Sequence, residues 1–214
     1  MKTDKLIDML STNLEPVDHR HPSRALIGAV AIAVSTALAL MLMALGIRHD
    51  LTNVPALLSF GLKVLFAGVI LGLAVVSLSK VIRPGGEGTV SLTLISLPFI
   101  AITLLALAML AMSPSSHWRT MLLGNQWLEC LLSIPLIAIV PFALITWVVR
   151  QTAAPTNLSR AGAFVGLAAG SISALGYALH CTDDSVPFVA LWYGGTIAVC
   201  TLAGVKLGPR LLHW

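Results

Sequence analysis

Residues 161–207 read AGAFVGLAAGSISALGYAL, HCTDDSV, PFVALWYGGTIAVCTLAGVKL: two apolar runs, Ala161–Leu179 and Pro187–Leu207, parted by the short polar gap His180–Val186. Each run is about 20 residues long, the length a helix rising about 1.5 Å per residue needs to cross a hydrocarbon core about 30 Å thick. Neither alternates apolar with polar residues as a barrel strand does, so a spanning helix is the form that satisfies its backbone in lipid. The gap gathers a thiol, an imidazole and two carboxylates, in a chain where charged residues make up 10% of the total.

Four more runs of this kind lie upstream: Ala25–Gly46, Pro55–Ser79, Val90–Met112 and Leu128–Val149. The 214 residues are 57% hydrophobic, with a mean hydropathy of +0.92. Soluble domains average about 25% charged residues, so the polar surface here is too small to cover a water-soluble globule. The expected fold class is therefore all-α: a polytopic membrane protein with six transmembrane helices in one bundle, residues 25–214, preceded by a cytoplasmic segment, residues 1–24. The first run follows a polar, acid-containing segment and lacks a small-residue cleavage site, so it reads as a retained anchor.

Lys and Arg set the orientation. Lys2, Lys5, Arg20, Arg24, Lys80, Arg83, Arg150, Arg160, Lys206 and Arg210 fall on one side, against Arg48 and Arg119 on the other, with Lys63 inside the second run. Both termini are expected in the cytoplasm and the gap at His180 on the outer face. The formal charge of +4 is spread over short loops, which fits topology and gives no reason to expect direct nucleic-acid binding.

In the N-terminal segment, Leu6, Met9, Leu10 and Leu14 fall at helical spacing, with Thr3 as a cap and Pro16 as a stop. This short amphipathic helix is either a flank lying on the membrane or a docking helix that folds into a partner's groove. Lys63 reads as a side chain snorkelling to the outer surface, or as an inward ammonium paired with Glu129. Gly68-x3-Gly72 and the stripe Gly162, Gly166, Gly170 are close-packing signatures, and the fifth run is expected at the centre of the bundle. Asn125 is a candidate cap for the fourth run. Trp118 and Trp127 fit an outer interfacial belt, and Trp147 an inner one.

Of three cysteines, Cys200 lies deep in the last run and reads as packing. Cys130 and Cys181 both fall at the outer face. Three readings stay open for them: a structural disulfide, a sensing pair that is oxidised or takes a soft metal ion with help from His180, Asp183 or Glu129, or two inert thiols. No C-x-x-C, H-E-x-x-H or Cys/His ladder supports constitutive zinc or any other standing cofactor.

The opening Met1–Ile7, Leu14-Glu15-Pro16-Val17, Lys63, Cys130, the stretch His180-Cys181 through Asp184-Ser185, Phe188 and Trp192-Tyr193-Gly194, and the ending Gly208–Trp214 together resemble the NrsF-type six-span inner-membrane anti-sigma factors. The resemblance covers essentially the whole chain. It implies that the N-terminal segment holds an extracytoplasmic-function sigma factor at the bacterial inner membrane. It also implies that the Cys130/Cys181 pair registers heavy-metal or oxidative stress and releases that factor. A transporter is the main rival, yet the spans carry few ionisable residues to line a path. A membrane thiol-redox protein is the enzyme rival, and it would want a closely spaced reactive pair. No nucleophile, base and orienter assemble, so no enzyme is expected. The sequence does not fix an oligomeric state.

Overall fold

The structure, a computed structural model, describes Thr3 and residues 21–49, 54–83 and 92–213. The described residues form helices α1 (His21–Ala44), α2 (Val54–Val81), α3 (Leu92–Met112), a short α4 (Trp118–Leu123), α5 (Trp127–Thr152) and α6 (Leu158–Ala178). Helix α7 (Val186–Leu211) completes them and contains a π-helical turn, Val189–Tyr193. Six of these are long and apolar enough to cross a membrane. They match the six apolar runs to within a few residues at each end. The docking candidates Leu6, Met9, Leu10 and Leu14 lie outside the described residues.

Helix α6 is the hub. Its candidate span is 89% buried, against 17% for α3 at the periphery, and it packs on α7, α2, α5 and α1. Small side chains make this possible. A Cβ on Gly162 or Gly166 would run into the backbone oxygen of Gly204 or Cys200, and one on Gly204 into that of Gly162. The α6–α7 backbones thus meet without intervening side chains, the packing that small residues spaced four apart permit. Gly68 and Gly72 of α2 behave differently: nothing lies within 4 Å of a Cβ built on either. Their spacing matches the signature, but their faces point away from the bundle, so the expected close packing there is absent.

The expected long loop between α3 and α5 contains a 3-10 turn at Ser115–His117 and the helix α4. Its two-turn length made it hard to distinguish from loop by periodicity. Asn125 is not a cap. Gln126 occupies that position without a side-chain bond, and Asp183 from the α6–α7 connection takes over the role. Its Oδ2 accepts from the backbone N–H of Asn125 at 2.9 Å and of Gln126 at 2.7 Å. Gly124 makes room for it. With φ +54, a Cβ there would lie 2.5 Å from the Asp183 carboxylate.

The thiol site and its buried ion cluster

The connections α1–α2, α3–α5 and α6–α7 meet at one end of the bundle, and the residues singled out in the sequence gather there. The α6–α7 connection is held on several sides. Arg48, just beyond α1, donates its backbone N–H to the Leu179 carbonyl at 3.0 Å. The Thr182 N–H donates to Gln126 Oε1 at 3.0 Å. Ser185 caps α7 by accepting from the Phe188 N–H at 3.3 Å and donates to the Met121 carbonyl at 2.6 Å. Trp192 donates its Nε1–H to the Leu122 carbonyl at 2.8 Å and packs on Trp127 with centroids 5.3 Å apart.

At the centre is an ion cluster. Lys63 is fully buried, so the snorkelling reading fails. Its ammonium donates to Asp184 Oδ1 at 2.8 Å and to the Cys181 carbonyl at 3.0 Å, which makes Asp184, and not Glu129, its counter-ion. Arg48 completes the cluster with its own bonds to the Asp184 carboxylate, at 2.9 and 2.8 Å, and a third to the Cys181 carbonyl at 2.9 Å. Both cationic side chains are 0% exposed and the carboxylate 25%. Burial by itself would raise the Asp184 carboxyl; the Arg48 and Lys63 hydrogen bonds and charges outweigh it and hold the group below the usual carboxylate range. The Lys63 Nζ also sits 5.9 Å from the Tyr193 ring centroid, within cation–π range.

The two thiols lie beside this cluster. Cys130, in the first turn of α5, and Cys181 are each 0% exposed, belong to one core cluster and lie within electrostatic reach of each other. Both are free cysteines, as is Cys200. Burial pushes the Cys181 thiol up, while the Lys63 charge, a backbone contact from Asp183 and the Tyr193 hydroxyl pull the other way without reversing it. The resting thiol is therefore protonated at neutral pH. His180 contacts the Gly46 carbonyl through Nδ1 at 3.2 Å and faces Glu129 Oε2 at 3.9 Å through Nε2. The Asp183 carboxylate is committed to the head of α5. Among the described residues, no three His, Cys, Asp or Glu side chains form a group that could hold a metal ion.

Two tyrosines are buried at the same end. Tyr177, near the end of α6, and Tyr193, on the π turn, are 0% exposed, with ring centroids 6.1 Å apart. Neither hydroxyl has a hydrogen-bond partner of acceptable geometry, although the Tyr193 hydroxyl is close enough to Cys181 to favour its anion. An unsatisfied buried hydroxyl costs about 1–3 kcal/mol. The sequence reading gave no role at this end to Arg48, Asp184, Tyr177 or Tyr193, although Asp184 and Tyr193 stand in the stretch that carries the resemblance. A signal existed for the first two: they are charges of opposite sign flanking spans on the face to which Lys63 was assigned.

Away from this end, an apolar groove of about 460 Å³ runs between α5 and α7, from Pro135 to Arg150, and takes in Cys200. Cys200 otherwise packs against Gly170, as expected of a structural residue.

The fold and site define an all-helical protein with six helices long and apolar enough to cross a membrane and two buried thiols at one end. The chain belongs to the family described as NrsF, negative regulator of sigma F, whose model matches residues 10–214. It is 28% identical to a probable anti-sigma-F factor NrsF of Azospira oryzae and 32% identical to the anti-sigma-F factor NrsF of Caulobacter vibrioides, each over the full length of both chains. No solved structure matches.

Proposed function

We propose that this protein is an anti-sigma factor of the bacterial inner membrane. In this reading it holds an extracytoplasmic-function sigma factor through its cytoplasmic N-terminal segment. Heavy-metal or oxidative chemistry at Cys130 and Cys181, on the periplasmic face, releases it. The observation that carries the reading is the family match along essentially the whole chain. Both thiols are free and lie within electrostatic reach of each other, which supports the sensing half. A pair already joined as a disulfide would have no thiolates to offer a soft metal, and separated thiols could not bridge one.

The same helix links the two faces. Helix α1 follows directly from the N-terminal segment and is 24 residues long; just past its end the chain reaches Arg48, whose guanidinium grips the Cys181 carbonyl and Asp184. A rearrangement at the thiols that loosens this grip would shift or rotate α1 against α6, and so the docking segment at its far end.

The test is capture of a sigma factor from native membranes by the tagged protein, with and without residues 1–20, before and after exposure to cadmium. Tail-dependent capture that is lost on exposure, and retained in Cys130→Ser/Cys181→Ser, supports both halves. Capture that cadmium abolishes equally in the double serine variant would remove the sensing assignment. No sigma factor in any sample would remove the anti-sigma reading.

A further inference from the structure

We infer that the groove between α5 and α7 binds one anionic glycerophospholipid, its acyl chain lying along the groove and its phosphate held at the Arg150 end. The inference rests on the membrane reading given above and not on sensing at the thiols. Cys130 stands in the first turn of α5 and Arg150 in the last, so the two sites lie at opposite ends of that helix.

Shape supplies the first ground. From Pro135 to Arg150 the groove follows about 22 Å of helix. One leaflet contributes about 15 Å of hydrocarbon, so the groove is long enough to take an acyl chain through it. Trp147, Leu207 and Leu211 line it and are exposed. It therefore opens sideways, toward lipid, and not into the bundle. Trp147, one turn before the end of α5, has the ring type that settles at headgroup level.

Charge and an unspent hydroxyl supply the second. Arg150 closes the groove, is exposed and makes no hydrogen bond or ion pair among the described residues. On α7, Lys206 and Arg210 fall three residues beyond the lining residues Ala203 and Leu207, on the same helix face. No Asp or Glu follows Glu129 in α5 and α7 contains none, so neither helix supplies the answering anion. Two helix C-termini at this end oppose an anion with about half an elementary charge each, less than three full positive charges. The Lys and Arg count turns this end to the cytoplasm, where the leaflet carries anionic lipid. Thr146 lines the groove one turn before Arg150, is buried, and its hydroxyl has no partner. Thr103, Thr152 and Thr201 each donate to the carbonyl four residues back, the usual bond of a helical threonine; Thr146 does not. A glycerophospholipid carries its ester carbonyls a few ångströms beneath its phosphate. One molecule thus offers an acceptor to Thr146 and an anion to Arg150 at once.

The experiment uses the full-length protein, purified in detergent and delipidated. Dioleoyl phosphatidylglycerol and dioleoyl phosphatidylethanolamine are the probes, and native mass spectrometry counts the lipid retained. The parent should retain phosphatidylglycerol in preference. Arg150→Gln should lower that retention about fivefold, the effect of one basic residue facing anionic lipid. Phosphatidylethanolamine, whose amine offsets its phosphate, should respond much less. Ala203→Phe, which fills the groove from an exposed position, should lower retention of both lipids. Lys80→Gln, at the end of α2 and outside the groove, should change neither. Equal retention of the two lipids by the parent, or equal effects of Arg150→Gln and Lys80→Gln, would overturn the inference. So would a preference that emerges only when residues 1–20 are deleted, because the groove would then belong to the chain's own acid-bearing N-terminal segment. A chain washed from native membranes by alkaline carbonate would remove the membrane reading itself. A chain that stays in them and shows no lipid preference removes only the lipid site.

Discussion

The Arg48 guanidinium meets the Asp184 carboxylate side-on, through bonds of 2.9 and 2.8 Å, across 136 positions of chain. Lys63 reaches the same carboxylate from α2. One anion thus holds two buried cations, and its loss is expected to be the most damaging single change at this end of the protein. Removing one partner of a buried ion pair leaves an uncompensated charge and costs about 3–5 kcal/mol. Asp184→Asn should show this in chemical unfolding from detergent micelles. The triple variant Arg48→Met/Lys63→Met/Asp184→Leu should recover most of the loss, because no charge is then left buried.

The same carboxylate predicts a pH response. Its folded pKa lies below the unfolded value, so its contribution is full above the ordinary carboxylate value of about 3.9 and is lost as pH falls through the depressed folded value. Thermal midpoints should be flat near neutrality on account of this group and drop under acid conditions below about pH 4. Asp184→Asn should remove that part of the acid sensitivity.

Glycines that look alike in sequence are expected to behave oppositely. Gly162→Ala and Gly204→Ala drive a Cβ into facing backbone, which cannot swing aside as a side chain can. Each should cost at least the 1–3 kcal/mol typical of overpacking. Gly68→Ala and Gly72→Ala meet open space and should be neutral or stabilising by up to about 1 kcal/mol, the helix preference for alanine. Unfolding midpoints of the four variants check this.

Gly124 is under two constraints at once. Its φ of +54 and ψ of −158 lie in a region that costs other residues about 1–3 kcal/mol, and a Cβ would displace the Asp183 carboxylate from the head of α5. Gly124→Ala should therefore destabilise more than Asp183→Ala, which removes the cap alone, at about 0.5–2 kcal/mol.

The six spans were legible because length and apolarity alone decide what crosses a bilayer, and the burial of α6 because its glycine stripe has no other use. The site was legible only in part. Cys130, Cys181, His180 and Glu129 could be placed at one end by topology, since each lies within a turn of a span boundary. The Lys63 partner was not: Glu129 and Asp184 are both acids at that end, and choosing between them requires knowing how α2 is rotated against α6. Arg48 and Asp184 each look like solvated loop charges until their spans are packed together. Gly68-x3-Gly72 misled for the same reason, because spacing gives a face and not the direction it points.

The glycine-lined contact of α6 with α7 also bears on how the chain enters the membrane. At a mean hydropathy of 1.4, α6 is the least apolar of the six candidate spans, and α7 follows at 1.7. A segment that is rich in glycine and serine and 89% buried when assembled partitions weakly into lipid as a lone helix. Its contact with α7 covers that surface and is sequence-adjacent, through a connection of a few residues. The two are thus suited to leave the translocon as a preformed hairpin, docking into a slot already built by α1, α2 and α5. The order of synthesis would then make the thiol site, whose last pieces are Cys181, Asp184 and Tyr193, complete only when the whole bundle is.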